Sequence, residues 1–335
     1  MRIALISPYS IGAMRGNITT VRRIDQFLNK AHIETLVLAA DVLSVEEMVQ
    51  RLLPFSPTLI HGFHARYCGE IAVILADRLQ VPSVITITGS DLHDPALRDH
   101  PATVTALARA AAITCFCASE ADELVARFPG LPGRVAVVSQ GAEALPGCGR
   151  RDFGIPDDCF AILLPAALRP VKNVEFAIAA TEKLWQVDTR FRLVIAGGEI
   201  DRSYADRIRS MLDVAPWARW LGEVPHEEMG ALYRRADLVI NCSIHEGMPN
   251  SLMEAMALGR PVAAVDIPGN RPLVRQGDTG WLFDDESTFR TLVVTLASDK
   301  MLRQEIGKRA REYVEVNFSP YAEVEKYRDL YRSLL

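Results

Sequence analysis

Ile244-His245-Glu246-Gly247-Met248-Pro249-Asn250-Ser251-Leu252-Met253-Glu254 is the stretch on which the reading of this chain turns. The apolar run Leu238-Val239-Ile240 before it has the character of a strand buried on both faces, as in a parallel sheet. Leu252, Met253, Met256 and Leu258 continue in a helical pattern. Pro249, Asn250 and Ser251 are residue types suited to opening that helix, Asn or Ser as a cap. Strand, polar loop and helix start thus follow one another, with Glu246 in the loop and Glu254 in the first turns. A helix N-terminus attracts anions through its N–H groups and its dipole. Two carboxylates there fit hydroxyl groups next to phosphates, the arrangement of a nucleotide-sugar. They also fit a solvated loop glutamate and an ordinary charge at a helix start, the reading that the pair of glutamates alone favours.

Working outward, 335 residues suit two α/β domains better than one core. Hydrophobic residues at 49% and charged residues at 24% are the composition of a soluble globular protein. A net charge of -5 offers no footprint for nucleic acid or an anionic membrane surface, so neither partner is expected. No apolar run has the length of a membrane span. The apolar part of the N-terminus is too short for a signal sequence and reads as a first strand. The six cysteines (Cys68, Cys115, Cys117, Cys148, Cys159, Cys242) contain no CxxC pair, which argues against zinc and for a cytoplasmic location.

From the N-terminus, strands are expected over 2–7, 34–39, 58–64, 84–88, 112–117 and 134–138. Helices are expected over 18–30, 44–53, 67–79, 102–111 and 119–127, the last capped by Ser119. Such alternation predicts a parallel sheet with ligands outside the carboxyl ends of the strands. Three polar clusters fall at those ends: Gly16-Asn17, the His61 to His64 segment, and Thr88-Gly89-Ser90-Asp91. Gly12 and Gly16 are four apart with no third glycine in register, which is not the dinucleotide fingerprint. Gly16 can approach a phosphate at the helix start, or belong to a plain turn. His64 and Asp91 can serve as acid, base or acceptor ligand. Alternatively His61 is a packed strand-end histidine and Asp91 a cap.

The segment 144–158, rich in Gly, Pro and charge, marks a linker. It divides the chain into 1–150 and 151–318, with 319–335 as a terminal helix expected to dock across the domain junction. Tyr321, Val324, Tyr327, Tyr331 and Leu334 form its apolar stripe. In the second half Arg169 and Lys172 follow a strand over 159–165. Two cations there can neutralise a diphosphate, Arg as a planar fork and Lys as a point charge. Gly197-Gly198 ends the strand over 191–196, where glycines allow close backbone approach.

With Arg169-x-x-Lys172, Gly197-Gly198 and Glu246-x7-Glu254 in this order, the second half resembles the retaining glycosyltransferases of family 4, the glycosyltransferase group 1 type. The match is dense from Leu163 to Phe283 and looser in the first half. The resemblance implies the GT-B fold, two Rossmann-like doubly wound parallel-sheet domains facing a central cleft. An N-terminal acceptor domain and a C-terminal donor domain follow from it, with a UDP-sugar as the default donor. It implies that Glu254 binds ribose hydroxyls and Glu246 the donor sugar. Arg169 and Lys172 would neutralise the diphosphate, helped by N–H groups around Met248, Asn250 and Ser251. Gly16 and Asn17 would close over the phosphates, and Gly198 and Val224 would frame the base. Asp91 is carried over as a catalytic candidate, and His64, Thr88 and Ser90 as acceptor-side candidates. No metal and no other cofactor is expected.

One departure stands out. Many members carry His before the Gly-x-Asp loop, where this chain has Thr88. Arg15-Gly16-Asn17-Ile18-Thr19-Thr20 together with Thr88-Gly89-Ser90-Asp91 looks like the branch that includes selenosugar synthases, whose acceptor is a small anion. Other readings from the same residues are a sugar-nucleotide epimerase or phosphorylase, and a catalytically silent nucleotide-sugar binding module.

Overall fold

Apolar strand sequences such as Arg2-Ile-Ala-Leu-Ile-Ser7, buried from its second residue on, pair side by side into two parallel sheets. The computed structural model describes residues 1–10, 16–131, 133–146 and 152–335. Gly12 and Arg15, singled out in the glycine loop, and Cys148 lie outside the described residues. The chain divides into two compact units. The first comprises Met1–Gly141, Glu246–Asn250 and Phe318–Leu335, and the second Ala142–His245 and Ser251–Asn317.

The sheet of the first unit contains β1 (Arg2–Ser7), β2 (Glu34–Ala39), β3 (Leu59–Phe63), β4 (Ser83–Thr86), β5 (Ala112–Cys115) and β6 (Val135–Val137). Their order is β2-β1-β3-β4-β5-β6, and every pair is parallel. Ser44 and Glu47 form a reciprocal capping box on the helix Val45–Phe55. Two local expectations need correcting. The helix expected from residue 67 begins at Glu70, behind a wider turn over Ala65–Gly69, because the chain leaves β3 through His64 at φ 78°. Ser119 is not a cap: the helix Ala118–Arg127 starts from Cys117, and the Ser119 hydroxyl lies 3.1 Å from the Cys117 sulfur.

The helix Pro320–Leu334 belongs to this unit. Its Val324, Tyr327 and Tyr331 are buried in one cluster with Ile3, Leu5, Ile24, Phe27 and Val84. Tyr321, expected on the same stripe, is 60% exposed and only edges onto the Phe27 ring at 4.8 Å. The buried face runs through Pro320, Glu323, Val324, Tyr327 and Tyr331, so a carboxylate occupies a position that apolar periodicity alone passes over.

The second unit carries β7 (Phe160–Pro165), β8 (Phe191–Ala196), β9 (Ala218–Trp220), β10 (Leu238–Asn241), β11 (Val262–Val265) and β12 (Trp281–Phe283), in the order β12-β11-β10-β7-β8-β9. Its core gathers Ile162, Leu164, Leu193, Ile195, Leu238 and Ile240 with Ala177, Ile178 and Leu184 of the helix Val174–Val187. Two parallel, helix-flanked sheets of six strands are a GT-B-like α/β fold. Among the described residues no helix is long and apolar enough to cross a membrane.

Candidate functional site

In the second unit the chain builds β7, β8 and β9 to one side and then returns to lay β10 against the other edge of β7. Such a reversal opens a crevice at the carboxyl ends of the two central strands. β7 runs through Leu168 into Arg169 and the short turn Pro170–Lys172. The continuation of β10 reaches Ile244, whose N–H donates to the Val171 carbonyl at 2.9 Å. Both basic residues are half-buried. The Arg169 Nε is buried and makes no hydrogen bond. A buried guanidinium N–H left without an acceptor is costly, and a bound anion would satisfy it.

On the other flank of β7, Leu168 donates to the Gly198 carbonyl at 2.8 Å and Gly197 donates to the Gly222 carbonyl at 2.8 Å. Gly198 lies against the Glu223 side chain, followed by the buried Val224. Arg169, Gly198 and the stretch before Val224 are thus gathered at neighbouring strand ends. Glu254 lies in the helix Asn250–Ala257, with Ser251 in its first turn. Its Oε1 is 2.9 Å from His226 Nε2, and its Oε2 accepts the Tyr233 hydroxyl at 2.9 Å. Burial, and then the Glu254 charge, push the Tyr233 phenol well up, so it remains a donor. The Glu254 side chain is 13% exposed and keeps lone pairs beyond those two bonds.

The first unit holds the rest. Glu246-Gly247 lies directly on Thr88-Gly89. A Cβ on Gly89 would stand 2.9 Å from the Gly247 nitrogen, and one on Gly247 would stand 3.2 Å from the Thr88 carbonyl oxygen. Gly89 also has φ 114°, a conformation open to glycine and strained for other residues. The glutamate expected at the donor sugar and the threonine expected on the acceptor side are therefore neighbours. Thr88 and Ser90 are half-buried, while His64 and Asp91 lie buried. Asp91 accepts the Ala65 N–H at 2.7 Å and the Thr88 N–H at 2.9 Å. His64 Nδ1 is 3.8 Å from Asp91, its Nε2 is 3.1 Å from the Ser90 hydroxyl, and its ring stacks on Tyr67 at 4.2 Å.

Gly16 and Asn17 open the helix Gly16–Lys30. Asn250, expected as a cap, is instead the first residue of its own helix. Its side-chain amide donates to the Gly16 carbonyl at 3.3 Å and the Thr20 hydroxyl at 3.2 Å. The buried Met248 offers its carbonyl to Gln140 Nε2 at 2.7 Å. Among the described residues, no group of three or more His, Cys, Asp or Glu is placed to hold a metal ion.

His226, Tyr233, Gln140 and Glu120 escaped the sequence reading. Only the position of His226 just after Val224-Pro225, at a strand end, could have signalled one of them. Glu120 is buried behind Gly247, with one oxygen accepting the Phe116 N–H at 3.0 Å and the other making no hydrogen bond. Burial, reinforced by the Asp91 charge, pushes its carboxyl up to about 8.

His61 is the packed strand-end residue of the two readings, bonded through Nδ1 to the Tyr331 hydroxyl at 2.7 Å and through Nε2 to Thr86 at 2.6 Å. Burial pushes its pKa down to about 3. Between that value and about 6.5 the unfolded chain binds the extra proton, so this residue's stabilisation is present above 6.5 and is lost as pH falls. Relative to His61→Gln, the wild-type unfolding free energy is expected to fall by about 1 kcal/mol per pH unit from pH 6 to 4.5. Glu120 contributes the opposite slope, but equally in both proteins. Parallel urea-denaturation curves across that range would refute a neutral, buried His61.

Residues 149–313 match the family described as glycosyl transferases group 1. Among curated proteins, the chain is 30% identical over 173 residues to glycosyltransferase 1 domain-containing protein 1 of Xenopus tropicalis, covering 52% of this chain and 49% of that protein. It is 31% identical over 229 residues to D-inositol 3-phosphate glycosyltransferase of Corynebacterium efficiens, covering 63% and 54%. The chain thus spans about half the length of these two relatives. With the protein of that name from Corynebacterium glutamicum it is 29% identical over 304 residues, 83% of this chain and 72% of the other. Among solved structures, Anabaena HepE in complex with UDP and glucose superposes with a TM-score of 0.80 at 18% identity over the whole of both chains. Sucrose-phosphate synthase from Thermosynechococcus elongatus superposes with a TM-score of 0.82 at 18% identity, covering 99% and 98%. These structural likenesses show the fold.

Proposed function

We propose, for a chain whose residues 149–313 match the family described as glycosyl transferases group 1, that it moves a sugar from a nucleotide diphosphate sugar to an acceptor with retention at the anomeric carbon. The observation that carries this reading is Arg169, a cation at the crevice-forming end of β7 with a buried Nε that lacks an acceptor. A diphosphate oxygen supplies that acceptor. Lys172 on the same turn adds a second positive charge, and the first N–H groups of the helix Asn250–Ala257 have no intrahelical partner to compete with. UDP is the default base, in keeping with the UDP and glucose bound by HepE.

In this reaction the bond from the anomeric carbon to the diphosphate oxygen breaks, and its electron pair leaves with the nucleotide. The acceptor oxygen bonds to the same face, and its proton passes to the departing phosphate. Catalysis is then chiefly electrostatic stabilisation of the leaving group by Arg169 and Lys172. Those two cations, with the helix start, perform the neutralisation without a metal. Glu254, oriented by His226 and Tyr233, accepts the ribose hydroxyls, and Glu246 accepts those of the transferred sugar. Gly198 and Val224 frame the base. Asp91 holds Thr88 and the His64 turn in place, so that Thr88 and Ser90 present hydroxyls to the acceptor.

The second reading, transfer to a small anion as in selenosugar synthases, is favoured by Thr88 in place of the usual histidine. A thermal-shift screen of nucleotide-sugars comes first, because a true donor stabilises the native state by mass action. The selected donor is then offered with glycans, sugar phosphates, inositol phosphate, selenophosphate and thiophosphate. Transfer to any of them supports the first reading, and turnover only with a carbohydrate defeats the second. Conversion of the donor to an epimeric nucleotide-sugar without an acceptor would establish an epimerase, and donor binding with no turnover a silent binding module.

A further inference from the structure

The buried pair Arg23–Glu323 has no part in the reading above. Arg23 lies on the helix Gly16–Lys30 and Glu323 on the helix Pro320–Leu334 of the same unit. Their side chains are 10% and 1% exposed, and the guanidinium bonds both carboxylate oxygens, at 2.8 Å and 3.0 Å. Removing two charges from water costs several kcal/mol per ion in real proteins, and apolar replacement of a whole pair is often neutral or stabilising. Stability alone is therefore a poor account of the pair.

Further bonds from Arg23 lead to one segment. Arg23 Nη1 donates to Asn250 Oδ1 at 3.1 Å, and Nη2 donates to Gln140 Oε1 at 3.1 Å. Gln140 donates through Nε2 to the Met248 carbonyl, and its Oε1 also accepts the Thr20 hydroxyl at 2.6 Å. Asn250 returns its amide to Thr20 and Gly16. Glu323 also accepts the Gly141 N–H at 3.0 Å, next to Gln140. Pro249 has no N–H to donate, so Glu246–Asn250 is gripped at the carbonyl before the proline and at the side chain after it. Without Arg23, neither the Gln140 oxygen nor the Asn250 oxygen retains its charged donor.

We propose that Arg23, fixed by Glu323, is a positioning residue that sets the Glu246–Asn250 segment, and with it the glutamate facing the transferred sugar. This inference rests on the glycosyl-transfer reading. Arg serves here where Lys cannot, because three directions are met from one planar fork.

The test is Arg23→Met/Glu323→Met, which removes both charges together, beside Arg23→Met, which strands a buried carboxylate. The single variant is expected to unfold at lower urea, and the double variant to regain most of that loss, stopping short of the wild-type midpoint because the Gly141 N–H loses its acceptor. Despite regained stability, the double variant should release UDP from UDP-glucose at least 10-fold more slowly at saturation, with the Kd for UDP within threefold of wild type. Amide exchange of Gly247, Met248 and Asn250 should be at least 10-fold faster, with β1 and β3 unchanged. Recovery of turnover along with stability would reduce the pair to a structural one. Unchanged exchange at those amides overturns the inference whatever the fate of the glycosyl reading. Wild-type protein that neither binds UDP nor consumes UDP-glucose or another nucleotide-sugar overturns the reading itself, and this inference with it.

Discussion

Lys172→Ala is expected to lower turnover at saturating donor by about 10²–10³-fold, the loss that follows removal of one preorganised donor to a developing negative charge. As the glycosidic bond lengthens, charge gathers on the diphosphate, and a cation matters more there than in the ground state. Binding of intact donor should therefore change less than turnover. Lys172 closes the turn Pro170–Lys172 and is half-buried, outside the apolar core of its unit. Its removal is expected to shift unfolding by no more than about 0.5 kcal/mol, as for surface substitutions generally. The two measurements are UDP release from UDP-glucose, or from whichever donor thermal shift selects, and a urea titration. Turnover near wild type at saturating donor would remove Lys172 from the leaving-group role.

Gly89→Ala should act through geometry. Its φ of 114° is strained for alanine, and the new methyl would meet the Gly247 nitrogen, a backbone atom that no rotamer change can move aside. A stability loss of about 1–3 kcal/mol is expected from the strain. Turnover should fall by about 100-fold, because displacing Glu246 by an ångström misplaces the transferred sugar. Denaturation and turnover measured together decide this. A variant with normal turnover would show that the close seating of Gly247 on Gly89 is dispensable.

The alternation of strands and helices was legible because each strand is a local apolar run, such as Leu238-Val239-Ile240, and each turn has local chemistry. The placing of Arg169 and Lys172 after a strand, and of Glu246 and Glu254 about a helix start, was readable for the same reason, since such boundaries are visible in a short window. Long-range pairing was not. Nothing near Arg23 indicates a partner 300 positions away at Glu323, and Glu323 itself reads as a surface charge in a charged helix. His61 was ambiguous because burial, not residue type, decides whether an imidazole at a strand end is chemical or structural. Tyr321 misled because aromatic residues at roughly helical spacing invite one stripe, while the packed face begins one position earlier, at Pro320. Asn250 was read as a cap from its type, yet its side chain is drawn to Gly16 and Thr20, partners that no local window contains.

The helix Pro320–Leu334 also bears on how the protein is made. Ribosomes add about 5–20 residues per second, and Phe318 follows Gly141 by about 175 residues, so the first sheet waits roughly ten to thirty-five seconds for its last helix. During that interval the nascent chain lacks Tyr327 and Tyr331, leaving Ile3, Leu5 and Phe27 without two of their packing neighbours and His61 without the Tyr331 hydroxyl. Slow synthesis lengthens the exposure of this half-finished sheet. Yield of the folded protein should therefore depend on translation speed downstream of codon 141 more than upstream of it.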